Sequence, residues 1–449
     1  KTPPTPTACG KVIKTYTKTN CAYYSNPCLL NIKSSLSFST PNAAGGIAMI
    51  RISGDHAIAA AAHIFVPFGN TKIEEMRGYT CAYGWISDDG QRLDDVVLTV
   101  FRAPHSYTGE DTVEITCHGG IYLSKRILSL LFRFGCEPAG AGEFTKRAFL
   151  NGKLSLSQAE AVMDVIRADG AASLRQANLA KQGKLSERMF SVSERLVDMM
   201  SAFAYWLDDA EEMPPELERS SLLSDLQSLH TELQNMSAEY QNGRILREGL
   251  RTVLLGKPNA GKSSVMNWLC GMQRSIVTEY AGTTRDIVTE QVKIGEFTLL
   301  LSDTAGLRET ENVIESIGVS QAYQALETSD FIIYVVDAAV GLQPDDLHII
   351  SSCKDRPLLV LWNKSDICNA APPAIDAPTL SISAIHADSL APLEEQINLI
   401  FRDAAFTNQP VIMNERQNAL ILRANHSVQN CCELLAQDAE LDMVYMELE

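Results

Sequence analysis

Thr252-Val253-Leu254-Leu255 runs directly into Gly256-Lys257-Pro258-Asn259-Ala260-Gly261-Lys262-Ser263, and a helix-forming run follows from Ser264. The four residues before Gly256 read as a buried strand. The next eight spell G-x-x-x-x-G-K-S in the strand-loop-helix context that a phosphate-binding loop requires. Backbone N–H groups from Asn259 and Ala260 through Gly261 to Ser264 are placed to wrap phosphate oxygens, helped by the positive end of the helix. In this pattern Lys262 reaches the terminal phosphates and the Ser263 hydroxyl ligates magnesium.

Working outward, Leu299 to Ser302 is a second strand, and it ends in Asp303-Thr304-Ala305-Gly306. An aspartate there holds magnesium through water, and the glycine lets a backbone N–H approach the terminal phosphate. Asp330 to Val336 and Pro357 to Trp362 are two more buried strands. The second leads into Asn363-Lys364-Ser365-Asp366, an N-K-x-D pattern. The Asp366 carboxylate matches guanine N1–H and its exocyclic amine. Adenine offers neither donor there and would leave a buried acceptor unpaired, so the pattern selects GTP over ATP. Ser383-Ala384-Ile385 follows the next short strand, where backbone contact to the guanine oxygen is expected. Thr278-Glu279-Tyr280-Ala281-Gly282-Thr283-Thr284 lies between the first two motifs, as a switch loop does, with Thr284 placed to close on magnesium when a terminal phosphate is present. Many GTPases orient the attacking water with a glutamine just after D-x-x-G. Leu307 stands there, and leucine cannot polarise water, so hydrolysis must use another group or be very slow.

The whole chain has 449 residues, 45% of them hydrophobic, which is enough for two to four domains with real cores. Its formal net charge of -17 argues against gripping nucleic acid unaided over a broad basic face. Eleven cysteines without a C-x-x-C pair give neither a zinc site nor a disulfide framework, and a reducing cytosol, hence a cytoplasmic location, is expected. No apolar run is long enough for a membrane-spanning helix. The expected architecture is multidomain α/β. Residues 1–38, without acidic side chains, read as a disordered extension, and 39–152 as an α+β domain. Residues 153–248 and 405–449 read as two parts of an α-helical bundle, and 249–404 as a doubly wound P-loop domain inserted between them. Within the bundle, Ala159, Val162, Met163 and Ile166 form one apolar stripe, and Leu185, Met189, Val192, Leu196, Met199 and Phe203 another; both are expected to face the core.

Several segments together resemble the MnmE (TrmE) family of tRNA-modification GTPases. In the nucleotide domain they are G-x-P-N-A-G-K-S, Ala281-Gly282-Thr283-Thr284-Arg285-Asp286 and Asp303 to Arg308, with Glu315 and Gly318 shortly after. Upstream they are Ile50 to Gly54, Tyr107-Thr108-Gly109-Glu110-Asp111, Cys117-His118-Gly119-Gly120, Gly142 to Phe149 and Gln158 to Ala161. The resemblance covers about residues 39–449 and implies a folate-binding N-terminal domain, a helical domain and a Ras-like G domain. It implies that Arg51, Glu114 and Lys153 line a site for formyl- or methylene-tetrahydrofolate. Each of the three alone would read as an ordinary surface charge. It also implies that a potassium ion, bound by Asn259 and by oxygens of Thr278, Tyr280 and Thr283, replaces the missing glutamine when two G domains meet, with Glu315 placing the water. The implied assembly is a homodimer working with the FAD-binding partner MnmG in a heterotetramer on the wobble uridine of tRNA. The sequence to Glu449 does not contain the family's C-x-G-K ending. A ribosome-assembly GTPase of the Era/EngA type, or a folate enzyme that happens to carry a G domain, are the competing readings. The first would need an RNA-binding module that is not seen here. The second would show catalysis without GTP turnover.

Overall fold

The computed structural model describes residues 34–38, 44–208, 214–272, 289–302, 329–353, 356–368, 371–386, 389–402 and 409–449. They form two compact units, divided after Leu154.

In the first unit β1 (Ser35–Phe38), β2 (Ile47–Ser53), α1 (Ala57–Ile64), β3 (Phe65–Pro67), β4 (Thr80–Asp88), β5 (Gln91–Phe101), β6 (Thr112–His118), α2 (Ile121–Arg133), β7 (Glu137–Pro138) and α3 (Glu143–Leu150) follow one another. The strands form a seven-stranded sheet in the order β3-β4-β5-β6-β2-β1-β7. Period-two alternation sends Ile50, Ile52, Leu98, Val100, Val113 and Ile115 to one face, where they are fully buried with Ile127, Leu130 and Leu131 of α2 and the alanines of α1. The opposite face carries Arg51 and Glu114 at one paired position of β2 and β6. β1 corrects the sequence reading at its boundary. Residues 35–38 are not part of an extension but a strand, paired antiparallel to β2 with Leu36 opposite Ile52. Four residues, Ser-Leu-Ser-Phe, carry too little periodicity to be told from a polar lead-in.

The second unit begins with α4 (Leu156–Arg167), α5 (Ala171–Lys181), α6 (Lys184–Asp208) and α7 (Arg219–Glu248). A capping box between Ser155 and Gln158 starts α4. The chain then builds β8 (Leu250–Leu255), α8 (Lys262–Met272), β9 (Thr289–Ile294), β10 (Phe297–Ser302), β11 (Phe331–Asp337), α9 (Pro344–Ser352), β12 (Leu358–Asn363), β13 (Thr379–Ser381) and α10 (Ala391–Ile400), and closes with α11 (Glu415–Ala436) and α12 (Leu441–Leu448). Leu222, Leu226, Leu229, Leu233, Met236 and Tyr240 make one buried stripe along α7, and they share a core with Ile421, Val428 and Cys431 of α11 and Val444 of α12. Helices before and after the sheet therefore complete one bundle, with the nucleotide-type domain inserted between them. The α6 stripe faces this core as expected. The α4 stripe does not. The buried side of α4 carries Ala161 and Asp164, whose carboxylate pairs with Arg247 at 2.8 Å, while Met163 and Ile166 are exposed. An ion pair to α7 has won over the apolar period there.

The six-stranded sheet has the order β13-β12-β11-β8-β10-β9, parallel except for β9. Its central strands β11 and β12 are buried on both faces, which is why Phe-Ile-Ile-Tyr-Val-Val and Leu-Leu-Val-Leu-Trp read as continuous apolar runs. The sheet is tied to the bundle at two points. The Ala172 N–H at the start of α5 donates to Glu296 Oε2 at 2.7 Å, and Arg244 of α7 pairs with Asp330 at the entrance of β11. No helix among the described residues is long and apolar enough to cross a membrane.

Candidate functional site

Parallel strands present their carboxyl ends on one edge, and a ligand crevice forms there between neighbouring loops. Here those ends are the β8–α8 loop, Asp337 after β11, Asn363 to Asp366 after β12, and Ser383 to Ile385 after β13. The order β12-β11-β8 puts the 363–366 loop within reach of the 256–263 loop.

The loop at 256–263 can only follow its path with glycine at two places. Gly256 has φ of 142°, and a Cβ there would lie 2.3 Å from the Val335 carbonyl; Gly261 has φ of 98°, and a Cβ would lie 2.2 Å from Asn363 Nδ2. Asn259 takes the left-handed conformation, with φ of 63°, which asparagine tolerates better than most residues. Side chains from the N-K-x-D segment then hold the loop. Asn363 Nδ2 donates to the Ala260 carbonyl at 3.0 Å, and its Oδ1 accepts the Ala384 N–H at 3.1 Å. Lys364 Nζ donates to the Asn259 carbonyl at 2.8 Å and to Asp337 Oδ2 at 2.6 Å. Asn363, 2% exposed, thus fastens three ligand loops to one another.

Lys262 Nζ donates to the carbonyls of Gly256 and Lys257 at 2.8 and 2.9 Å. Burial pushes its ammonium below the usual lysine range, so the site holds a partly desolvated cation that an anion would relieve. Ser263 and Ser264 open α8, whose first N–H groups have no intrahelical acceptors. The exposed Ser263 hydroxyl is a hard oxygen donor of the kind magnesium takes, and the exposed Asn259 side-chain amide offers an oxygen suited to a monovalent cation.

At the base-recognition end, Asp366 Oδ1 accepts the Ser383 hydroxyl at 2.6 Å, and that hydrogen bond holds the carboxyl below the usual range. Ser365 N–H donates to the Ile382 carbonyl at 3.1 Å, which sets the loop after β13 against the 363–366 turn. Ala384 is buried and Ile385 is 73% exposed.

The structure therefore brings together Asn259, Ala260, Gly261, Lys262, Ser263, Ser264, Asn363, Lys364, Asp366, Ser383, Ala384 and Ile385. Thr278, Glu279, Tyr280, Ala281, Gly282, Thr283, Thr284, Asp303, Thr304, Ala305, Gly306, Leu307 and Glu315 lie outside the described residues. One member was missed in the sequence. Asp337 has its carboxyl pushed up by burial, but the Lys364 ammonium and the Ala339 N–H more than offset this and hold it low. The available signal was its place as the last residue of a buried apolar strand, where ligand-facing groups collect.

In the first unit Arg51 Nε donates to Glu114 Oε1 at 2.7 Å, with the two side chains 27% and 17% exposed. The guanidinium carbon lies 5.6 Å from the Phe144 ring centre and 6.0 Å from that of Tyr107. Lys153 Nζ donates to the Pro104 carbonyl at 3.1 Å, and its stem passes beside Gly109. Behind these groups Arg147, 4% exposed, pairs with Glu110 at 3.0 Å and Glu143 at 2.8 Å, and it also donates to Ser35. This buried network joins the 107–110 loop to α3 and so sets the two rings about Arg51. A charged pair flanked by two aromatic rings suits a planar heterocycle carrying amide-type donors and acceptors.

Comparison with known proteins agrees at both ends of the chain. Residues 35–153 match the model of the GTP-binding protein TrmE N-terminus, and residues 156–449 match that of the MnmE helical domain. The tRNA modification GTPase MnmE of Moorella thermoacetica is 39% identical over 411 residues, covering 88% of this chain and 87% of that protein. Those of Lachnoclostridium phytofermentans and Carboxydothermus hydrogenoformans are 38% and 37% identical, each covering 90% or more of both chains. The two family models together span residues 35–153 and 156–449, and each of these relatives is matched over most of its own length. The chain belongs to the MnmE family of tRNA-modification GTPases.

Proposed function

We propose that this chain turns over GTP at the 256–263 and 363–366 loops to drive modification of the wobble uridine in tRNA. The observation that carries the reading is the double fastening of the phosphate loop by Asn363 and Lys364. It leaves Asp366 for the base and Lys262 for the terminal phosphates. Water attacks the γ-phosphorus in line, and the β–γ bridging oxygen leaves. Lys262 and the N–H groups of Gly261 to Ser264 hold the phosphate oxygens on which charge builds. Ser263, with Thr284 and Asp303, would hold a magnesium ion, whose charge would offset the negative charge of the phosphates. Asn259, with Thr278, Tyr280 and Thr283, would hold a potassium ion, whose charge would take the place of an arginine finger. Glu315 orients the water in the place where Leu307 has no means to do so.

The first unit is assigned the one-carbon donor. Glu114 would accept N–H groups of the folate's pterin, Tyr107 and Phe144 would offer it aromatic surface, and Arg51 and Lys153 would supply cations, the bound folate supplying the one-carbon unit. The working assembly is a cytoplasmic homodimer joined with FAD-binding MnmG, acting on tRNA. Calorimetric titration with 5-formyltetrahydrofolate tests the donor site. The parent protein is expected to bind it, and Arg51→Ala to weaken binding about 10- to 100-fold, since a charge-assisted hydrogen bond and its pairing with Glu114 are both lost. GTP turnover should be unchanged in that variant. Equal affinity in the two proteins would remove Arg51 from the site.

A further inference from the structure

The phosphate-type loop is held from a second side, by α9. Asp346, the third residue of that helix, is 3% exposed. Its Oδ1 accepts the Tyr334 hydroxyl at 2.7 Å, its Oδ2 accepts the Gln343 N–H at 2.8 Å, and Lys257 Nζ lies 3.4 Å from Oδ2. Tyr334 is itself fully buried in the middle of β11. A carboxylate this deep needs several partners. The helix cap and the tyrosine satisfy two directions, and the third points at the loop.

Lys257 is the first residue after Gly256, where the loop turns, and its carbonyl is one of the two that accept Lys262 Nζ. That hydrogen bond joins residue 257 to the Lys262 ammonium. A continuous line of contacts thus runs from the sheet core through Tyr334, Asp346 and Lys257 to Lys262. On the far side Asn363 and Lys364 hold Ala260 and Asn259.

We propose that Asp346 and Lys257 are positioning residues for GTP binding, an ion pair by which α9 holds the entrance of the phosphate loop in its receptive form. This rests on residues 256–263 being the phosphate loop. An unfastened loop must be ordered when the nucleotide binds, and that cost falls equally on GTP and GDP. It weakens ground state and transition state alike, so KM rises while kcat does not change.

The test is steady-state GTP hydrolysis and GDP affinity in the full chain for Lys257→Met, Lys257→Arg, Asp346→Asn and the double variant. Lys257→Met keeps the aliphatic stem and leaves the Tyr334 and Gln343 bonds intact, so it reads the ion pair even if Asp346→Asn disturbs α9. The expected result is a rise of about five- to ten-fold in KM and in the GDP Kd for Lys257→Met, with kcat within about two-fold of the parent. Lys257→Arg should restore both. Adding Lys257→Met to Asp346→Asn should have no further effect. Unchanged KM in Lys257→Met, or a full additional loss in the double variant, would overturn the proposal. Lys262→Ala run beside them separates the two readings. If it turns over GTP normally, the phosphate loop is elsewhere. If it is inactive while Lys257→Met is unchanged, only the positioning role is lost.

Discussion

Asp366→Asn is expected to lose GTP and gain xanthosine triphosphate. The carboxylate accepts from guanine N1–H and from the exocyclic amine, and each charge-assisted bond is worth about 1.5 to 3 kcal/mol. An asparagine keeps one acceptor but turns an N–H toward the guanine amine, so both the bond and the electrostatic match are lost. The expected cost is about 3 to 5 kcal/mol, or roughly two to three and a half orders of magnitude in Kd. Xanthine carries a carbonyl where guanine carries the amine, and the asparagine N–H donates to it. The same substitution should therefore bring xanthosine triphosphate into the range where the parent binds GTP. Competition against a fluorescent guanine nucleotide measures both affinities. The fold should be unaffected, because the Ser383 hydroxyl that donates to Asp366 does so at the exposed edge of the site. GTP affinity close to the parent's in Asp366→Asn would place base recognition elsewhere.

Lys262→Ala is expected to lower GTP hydrolysis about 10²- to 10³-fold, the range seen when one preorganised donor is removed from a developing oxyanion. Its effect on stability should have the opposite sign. Burial holds the Lys262 ammonium below the usual lysine range. Its charged form is therefore less favourable folded than unfolded, a penalty present at every pH below the unfolded value and one that the alanine removes. The two carbonyls it serves lie at the loop entrance, where solvent can replace it. The thermal midpoint should be no lower than the parent's while turnover collapses. A variant that melts early would show Lys262 to be a structural member of the loop rather than a ligand for phosphate.

The nucleotide domain was legible because its chemistry is local. Gly256 and Gly261 stand where the Val335 carbonyl and the Asn363 side-chain amide leave no room for a Cβ, and strands buried on both faces announce themselves as unbroken apolar runs. The bundle's α6 was equally plain from its stripe. Less was legible wherever a polar contact from a distant element outweighed local pattern. Met163 and Ile166 follow a helical period, yet the Asp164–Arg247 pair turns the other side of α4 inward. β1 is held by pairing with β2 rather than by any pattern of its own. Asp337 and Asp346 look like ordinary charges at a strand end and in a helix first turn, and only the fold brings Lys364 and Lys257 to them. In the first unit Arg51 and Glu114 came from a resemblance. Their direct pairing across β2 and β6, and the buried Arg147 that arranges the rings beside them, came from strand register and burial.

We propose that a monovalent cation at Asn259 supports hydrolysis in a chain with leucine after D-x-x-G. The direct measurement is the GTP turnover number at saturating nucleotide and magnesium, in potassium chloride and in sodium chloride at equal ionic strength. Sodium is the smaller ion and prefers shorter oxygen contacts than a loop shaped for potassium provides. Losing one fixed positive charge beside the transferring phosphoryl group costs about 1.4 kcal/mol or more. The expected rate in potassium is about ten-fold or more above that in sodium, with Asn259→Ala abolishing the difference. Equal rates in the two salts would contradict the claim.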